Sequence, residues 1–243
     1  MPSLHVFLKR TAQKFGVDLL RFPQGDPQFR LASLLGRHHV DVVLDVGANE
    51  GQFASGIRGH GFRGRMVSFE PLPGPFRRLE AVASKDPSWT TVQCALGPSE
   101  AVVQMNVAAN QGASSSMLPM TSRLEQAAPF ARYTGTEDVA QRRLDDVVAE
   151  GLVGPNDRTF LKLDVQGYER QVLDGGQQLL GAPNLVGAQF ELSFVPTYTG
   201  DMPWRDVFSW AEDHDMVPMS IDPGFTEKSG QMLQADVVFF KES

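Results

Sequence analysis

Residues 42–53 read Val-Val-Leu-Asp-Val-Gly-Ala-Asn-Glu-Gly-Gln-Phe. The stretch starts as a short apolar, β-branched run, reaches an acid at Asp45, and continues into a turn that contains Gly47 and Gly51. Glycine permits a sharp turn and lets a ligand approach the backbone closely. This order of residues is typical of a buried parallel strand that leads into a helix at the ligand-binding edge of an α/β sheet. The alternative is an ordinary strand-turn-helix unit without a ligand.

A second strand ends in the same way. Residues 65–71 read Arg-Met-Val-Ser-Phe-Glu-Pro, an apolar run that reaches Glu70 and is stopped by Pro71, which has no backbone N–H. Glu70 lies about 20 residues past the glycine turn, where an acid on the second strand can accept hydrogen bonds from ribose hydroxyls. The alternative is a solvated carboxylate at the end of a strand.

The glycine turn also distinguishes between cofactors. Its pattern is Asp-x-Gly-x-Asn-x-Gly, whereas a dinucleotide site has Gly-x-Gly-x-x-Gly and places a pyrophosphate on a helix N-terminus. S-adenosylmethionine has no phosphate, and its sulfonium cation, amino-acid end and ribose diol suit an acidic turn. The sequence therefore favours this cofactor over a dinucleotide.

Composition limits the class of protein. The length of 243 residues fits one large domain, or one domain with an added N-terminal segment, and the hydrophobic content of 42% is enough for a full core. The net charge of −7 argues against nucleic acid as the main partner, because phosphate binding requires a basic face. Cys94 is the single cysteine, so an internal disulfide is impossible, and it is expected to pack inside a strand. No apolar run of 18 residues and no signal peptide are recognisable, and we expect a cytoplasmic protein.

The first 40 residues are expected to form a helical extension to a domain that spans residues 41–243. Residues 3–20 have apolar side chains at helical spacing, with Lys9, Arg10 and Lys14 between them. This helix packs on the domain or on a second subunit of a homo-oligomer, or it makes peripheral membrane contact, which would help if the acceptor were a lipid. A second helix is predicted from about residue 28 to residue 39.

From residue 41 onwards, predicted strands and helices alternate, which indicates an α/β fold with a mostly parallel sheet. The predicted strands are 41–46, 65–70, 89–94, 102–107, 139–143, 159–165, 186–192, 216–221 and 235–241. The predicted helices are 50–60, 73–84, 144–150, 168–180 and 203–213. The last two strands have no helix between them and are predicted to form an antiparallel hairpin. Residues 117–137 are predicted to be irregular, with possible helical turns. The polar loop 109–116 is either a flexible surface connection or a lid or substrate loop.

Acids stand at the ends of several predicted strands, namely Asp45, Glu70, Asp164 and Glu191. The carboxyl ends of parallel strands meet at one edge, so these side chains are expected to share a crevice. If the strands of Asp164 and Glu191 are neighbours, their backbones lie about 4.8 Å apart. The two carboxylates could then hold a divalent cation such as Mg²⁺, or one could act as a base for a hydroxyl. None of the five histidines has metal-ligand spacing.

These motifs, taken together, resemble the FkbM family of S-adenosylmethionine-dependent methyltransferases. The resemblance covers residues 41–240 and rests on the segments Asp45–Gly51, Phe69–Pro71, Arg143–Asp146, Leu161–Glu169 and Val172–Gly176. It implies a seven-stranded Rossmann-like sheet with an antiparallel last strand. It also implies methyl transfer to oxygen, commonly to a sugar hydroxyl of a macrolide or glycolipid. Many relatives have Glu at the position of Gln166.

The resemblance also implies roles for individual residues. Asp45, Gly47, Ala48, Asn49 and Gly51 would surround the methionine end of the cofactor. Glu70 would bind the ribose hydroxyls. The adenine would contact a further set of residues, Pro71, Leu72, Ala95 and Leu96.

Asp164 and Glu191 are the predicted catalytic residues and the predicted metal ligands. One of them would take the proton of the hydroxyl or hold a cation that activates it.

The acceptor is expected to be a small molecule or a glycolipid, held by the loops 109–137, 194–203 and 222–234. Tyr198, Trp204 and Phe225 would stack on a sugar, line a lipid channel or pack in the core.

Two other functions remain open at this stage. A non-catalytic S-adenosylmethionine-binding interaction protein would bind the cofactor without turnover. A nucleotide-sugar oxidoreductase would contain bound NAD, although the missing third glycine argues against it.

Overall fold

The computed structural model describes residues 4–15 and 25–242. Its helices are α1 (Leu4–Gln13), α2 (Pro27–Arg37), α3 (Gln52–Gly59), α4 (Pro73–Ala83), α5 (Ser122–Ala127), α6 (Leu144–Val147), α7 (Glu169–Asp174), α8 (Gln177–Leu180) and α9 (Trp204–Asp213). Its strands are β1 (Val42–Val46), β2 (Arg65–Phe69), β3 (Trp89–Val92), β4 (Ala95–Leu96), β5 (Ala101–Ala108), β6 (Tyr133–Arg142), β7 (Thr159–Leu163), β8 (Leu185–Ser193), β9 (Met216–Pro223) and β10 (Gln234–Lys241).

The main sheet has seven strands in the order β3-β2-β1-β7-β8-β10-β9. The first five strands in this order, β3, β2, β1, β7 and β8, are parallel to one another. Strand β10 runs antiparallel to both β8 and β9. This confirms the predicted fold class and the terminal hairpin. Strand order reverses between β1 and β7, and a crevice opens at such a switch point beyond the carboxyl ends of the strands.

A second sheet of three strands, in the order β4-β6-β5, was only partly predicted. Strand β6 begins at Tyr133, six residues before the predicted start, whereas α5 lies in the segment that was predicted to be irregular with possible helical turns. Most of β6 is exposed, so the apolar alternation that marks a half-buried strand is weak there. The predicted helix 168–180 is divided into α7 and α8 at two adjacent glycines, Gly175 and Gly176.

The hydrophobic core lies on both faces of the main sheet. One cluster of buried side chains contains residues of β1, β7, β8 and α9, and the other contains residues of β1, α2 and α3. Leu31 and Leu35 of α2 pack with Ile57 of α3, so α2 forms part of the helical layer on this face.

Helix α1 ends at Gln13, and the rest of the predicted helix 3–20 falls partly on residues 16–24, outside the described residues. Within the described residues, the structure has no helix of sufficient length and apolarity to cross a membrane.

A buried polar network joins β1, β2 and β7 near their carboxyl ends to the first residue of β3. Lys162 of β7 lies beside Asp45 of β1, with 3.1 Å between Nζ and Oδ1, and both side chains are almost fully buried. Ser68 Oγ of β2 donates to Asp45 Oδ2 at 3.1 Å, and Trp89 Nε1 of β3 donates to Ser68 Oγ at 3.0 Å. Lys162 Nζ also donates to the carbonyl oxygen of Gly47 at 3.0 Å. The network therefore joins the ion pair to the glycine turn.

Removing the cation from this network should destabilise the fold. Lys162→Met leaves the Asp45 carboxylate buried without its partner, and we expect the free energy of unfolding to fall by about 3 kcal/mol or more. The double variant Asp45→Asn with Lys162→Met has no unpaired charge and should recover much of this loss. Urea unfolding measures both effects, and Lys85→Met, at an exposed lysine, is the control. A change within about 0.5 kcal/mol for Lys162→Met, as at an ordinary surface position, would contradict the role of the pair.

Candidate active site

A cavity of about 310 Å³ opens where β1, β2 and β7 end. This is the place at which parallel sheets bind ligands. Of the predicted cofactor-contact residues, the structure brings seven to its wall, namely Gly47, Ala48, Asn49, Glu70, Pro71, Ala95 and Leu96. Asp45, Gly51 and Leu72 are not among the residues that line it.

Both glycines of the turn have a backbone conformation that residues with a side chain rarely adopt. Gly47 has a φ of +78°, and a Cβ at this position would lie 1.9 Å from the carbonyl oxygen of Asp164. Gly51 also has a positive φ, of +86°, and a Cβ there would lie 2.9 Å from the side chain of Leu79. Gly47 therefore allows β1 and β7 to approach each other at the cavity, whereas Gly51 allows α3 to pack on α4.

Glu70 joins the end of β2 to the glycine turn. Its Oε2 accepts a hydrogen bond from the backbone N–H of Asn49 at 2.9 Å, and its Oε1 accepts one from the N–H of Leu72 at 2.8 Å. Burial raises the pKa of Glu70 to about 7, although these two backbone donors act in the opposite direction. Each carboxylate oxygen can accept a further bond, so Glu70 can still bind the hydroxyls of a ribose.

The wall of the cavity fits the cofactor that the sequence predicts. The side-chain Oδ1 of Asn49 is buried and has no hydrogen-bond partner, which is unfavourable unless a ligand donates to it. The ammonium group at the amino-acid end of S-adenosylmethionine is such a donor. Ala95, Leu96 and Met105 provide an apolar surface at another part of the wall, which suits an adenine ring.

Loop 109–116 is part of the cavity. Gly112, Ala113 and Ser115 line it, so the interpretation of this loop as a plain surface connection is wrong. Ser115 Oγ accepts a hydrogen bond from the N–H of Ala108 at 2.9 Å, and Ser116 Oγ donates to the carbonyl oxygen of Gln166 at 2.7 Å. These bonds attach the loop to the second sheet and to the turn after β7.

Asp164 and Glu191 lie close together, as the neighbouring strands β7 and β8 require. Gln166 separates them, because its Nε2 donates to Asp164 Oδ1 and to Glu191 Oε2, each at 2.8 Å. Tyr198 donates its hydroxyl to Gln166 Oε1 at 2.6 Å, and Gln234 Nε2 donates to Glu191 Oε2 at 2.9 Å. Tyr198 is buried and holds Gln166 in place, so it packs in the core and does not stack on a sugar.

The two acids differ in their surroundings. Asp164 lines the cavity, keeps 36% of its side chain exposed, and has Oδ2 at 3.5 Å from Lys162 Nζ. Glu191 does not line the cavity. Burial raises the pKa of Glu191 well above its usual value, and the nearby carboxylates of Asp164 and Asp236 raise it further. Asp164 is therefore the carboxylate that faces the cavity, and Glu191 is the one whose pKa is raised by its surroundings.

The pair does not fit the predicted Mg²⁺ site. An amide nitrogen, which is a donor, lies between the two carboxylates where a cation would have to bind. Among residues 4–15 and 25–242, no group of three or more His, Cys, Asp or Glu side chains has a geometry suited to a metal ion. The structure gives no support to the prediction that Asp164 and Glu191 hold a metal.

Sequence reasoning missed Lys162, which contacts both Asp45 and Asp164 and lines the cavity. Burial alone would lower the pKa of its ammonium group, but the adjacent carboxylates of Asp45 and Asp164 outweigh this and raise it. A lysine in the middle of the apolar run 159–163 was the available signal, because lysine is rarely buried unless it is paired.

Solved structures with a related fold include several methyltransferases. Fibrillarin from Aeropyrum pernix, with bound S-adenosylmethionine, aligns with 82% of this chain and 66% of its own at 14% identity and a TM-score of 0.46. A putative O-methyltransferase from Klebsiella pneumoniae aligns with 100% of this chain and 91% of its own at 9% identity and a TM-score of 0.47. Both TM-scores lie below 0.5, so neither similarity indicates the function of this chain.

Comparison of the sequence with models of protein families identifies the family of this chain. No curated protein has a significant match to the chain. The methyltransferase FkbM domain matches residues 45–220, which is well over half of the chain and contains the glycine turn, Glu70 and the turn after β7. The chain belongs to the FkbM family of S-adenosylmethionine-dependent methyltransferases.

Proposed function

We propose that this protein transfers a methyl group from S-adenosylmethionine to a hydroxyl, most simply a sugar hydroxyl of a glycolipid or of another glycosylated metabolite. The observation that carries the proposal is the cavity at the switch point, which has Glu70 on one side and the accessible carboxylate of Asp164 on another. A methyltransferase needs both a cofactor site and a group that can receive the proton of the acceptor. Here both groups lie on one cavity.

The chain would hold the cofactor with residues that follow β1 and β2. Glu70 would accept hydrogen bonds from the ribose hydroxyls, and Asn49 Oδ1 would accept one from the ammonium group. When bound, S-adenosylmethionine supplies an electrophilic methyl group, whose bond to sulfur breaks as the bond to the acceptor oxygen forms. Holding two reactants in line can account for much of the rate acceleration.

Asp164 is the group that takes the proton of the acceptor hydroxyl. Its Oδ1 is held by Gln166 and its Oδ2 faces Lys162, so the side chain has a fixed orientation. Glu191 is less suited to this role, because it does not line the cavity and burial raises the pKa of its carboxyl well above the usual value. Its place is to hold Gln166 and, through it, Asp164.

The contribution of Glu70 to cofactor binding is directly measurable. Glu70→Ala removes two charge-assisted hydrogen bonds to the ribose and frees the glycine turn, and we expect the Kd for S-adenosylmethionine to rise about 100-fold. Isothermal titration calorimetry gives the value. Glu80→Ala removes an exposed acid on α4 and should bind as the unaltered protein does. Equal affinity in the two variants would rule out ribose recognition by Glu70.

The affinity should also depend on pH. Because the pKa of Glu70 is raised to about 7, this carboxyl is largely protonated at lower pH and accepts ribose hydrogen bonds less well. We expect the affinity to rise between about pH 6 and about pH 8 and then to level off, as linkage requires for a ligand that prefers the ionised form. Glu70→Gln does not titrate and should show a flatter profile. A profile that is unchanged in Glu70→Gln would assign the dependence to another group.

The role of Asp164 is tested on an acceptor from a screen of glycosides, in which release of S-adenosylhomocysteine reports turnover. Asp164→Asn should lower kcat by about 100-fold or more, as expected for loss of a general base, while the Kd for the cofactor stays within a few-fold. Asp174→Asn, at an exposed position on α7, is the matched control. A rate within about threefold of the unaltered enzyme would exclude Asp164 as the base.

The same screen tests the proposal as a whole. Cofactor binding without turnover on any hydroxylated acceptor would favour the non-catalytic alternative. Turnover that is unaffected by a chelator would agree with the poor fit of the site to Mg²⁺.

A further inference from the structure

A second cavity, of about 470 Å³, adjoins the cofactor cavity. It lies between the N-terminal end of α2 and the ends of β7, β8 and β10. Phe53, Lys162 and Asp164 line both cavities. The apolar surface suited to adenine lies elsewhere on the wall of the first cavity, so the second cavity begins beside the proposed base Asp164.

The wall of the second cavity is acidic. Its carboxylates are Asp26, Asp164, Asp222 and Asp236, and Lys162 is its one basic lining residue. Two of the three aspartates other than Asp164 already have a partner, since Asp222 pairs with Arg30, and Asp26 Oδ2 lies 3.2 Å from His60 Nε2.

Asp236 differs from the other carboxylates. No basic side chain of the described residues lies within 4.0 Å of its carboxylate. Asp236 is half-buried, and burial together with the charge of Asp164 raises its pKa. A cation bound here would be favourable, because it would compensate a carboxylate that the fold leaves unpaired.

Gln189 is an independent sign of a ligand. Only 9% of this residue is exposed, it lines the second cavity, and its Oε1 has no hydrogen-bond partner. Gln189 and Asp236 lie on the neighbouring strands β8 and β10 and line the same cavity. A buried amide oxygen without a donor is unfavourable, and a ligand N–H or O–H in the cavity would satisfy it.

We propose that the second cavity binds the acceptor, and that this acceptor carries a protonated amine close to the hydroxyl that is methylated. The amine donates to Asp236 and to Gln189 Oε1, and the hydroxyl points towards Asp164. Acceptors with a phosphate or carboxylate are disfavoured, because they would approach several carboxylates in a confined space. The inference rests on the proposed function and adds the chemical class of the substrate.

The experiment compares three sugars that differ in one group. Protein saturated with S-adenosylhomocysteine is titrated with methyl α-D-glucosaminide, with its N-acetyl derivative and with methyl α-D-glucoside, and binding is followed by saturation-transfer NMR. We expect the amine to bind about tenfold more tightly than either neutral sugar, the factor that corresponds to about 1.4 kcal/mol. High salt should reduce this preference.

Two variants test whether Asp236 and Gln189 cause the preference for the amine. Asp236→Asn should abolish the preference for the amine, and Gln189→Met, which keeps a similar size without the amide oxygen, should weaken it. Asp174→Asn makes the same charge change at an exposed site and should keep the full preference. The affinity of each variant for S-adenosylhomocysteine shows whether it is folded.

Each outcome has a definite meaning. Equal or tighter binding of a neutral sugar, or a preference that survives in Asp236→Asn, would overturn the inference. Failure of all three sugars to bind the saturated protein would overturn it as well, while methyl transfer to another acceptor would leave the proposed function intact. Failure to bind S-adenosylhomocysteine at all would overturn the proposed function and this inference with it.

Discussion

The site depends on one buried ion pair, that between Asp45 and Lys162. It joins β1 to β7, the two strands between which the strand order reverses, and both side chains are almost fully buried. Desolvation makes such a pair costly, and hydrogen bonds from Ser68 and to the carbonyl of Gly47 offset part of that cost. The result is a fixed positive charge on the wall shared by the two cavities, with the glycine turn held beside it.

The surrounding acids differ in their contacts and in their burial. Asp164 lies 3.5 Å from Lys162 and lines the cofactor cavity, whereas Glu191 does not line it, and burial raises the pKa of the Glu191 carboxyl well above its usual value. Gln166 keeps the two apart by donating to both. An acid at this position would add a third carboxylate to the group, and mutual repulsion would then favour a bound cation or a proton. The amide instead gives a network of hydrogen bonds that is complete without a metal.

The second sheet completes the cofactor cavity. Strands β5 and β6 carry loop 109–116, and the hydrogen bonds of Ser115 and Ser116 fix that loop against β5 and the turn after β7. The main sheet alone would leave the cavity open on this side. Enclosure matters because hydrogen bonds and charges act more strongly where water is excluded.

The amino-acid sequence by itself determined the parallel sheet, the glycine turn and the acids at the strand ends, because apolar runs, turn glycines and terminal carboxylates are local patterns. Glu70 and Asp164 were recognised in this way. The tertiary structure alone decided that Asp45 faces Lys162 and not the cavity, that Gln166 lies between two acids, and that Asp236 and Gln189 face a second cavity. These contacts join residues of different strands and loops, and their pairing depends on strand order and register, which local patterns do not specify.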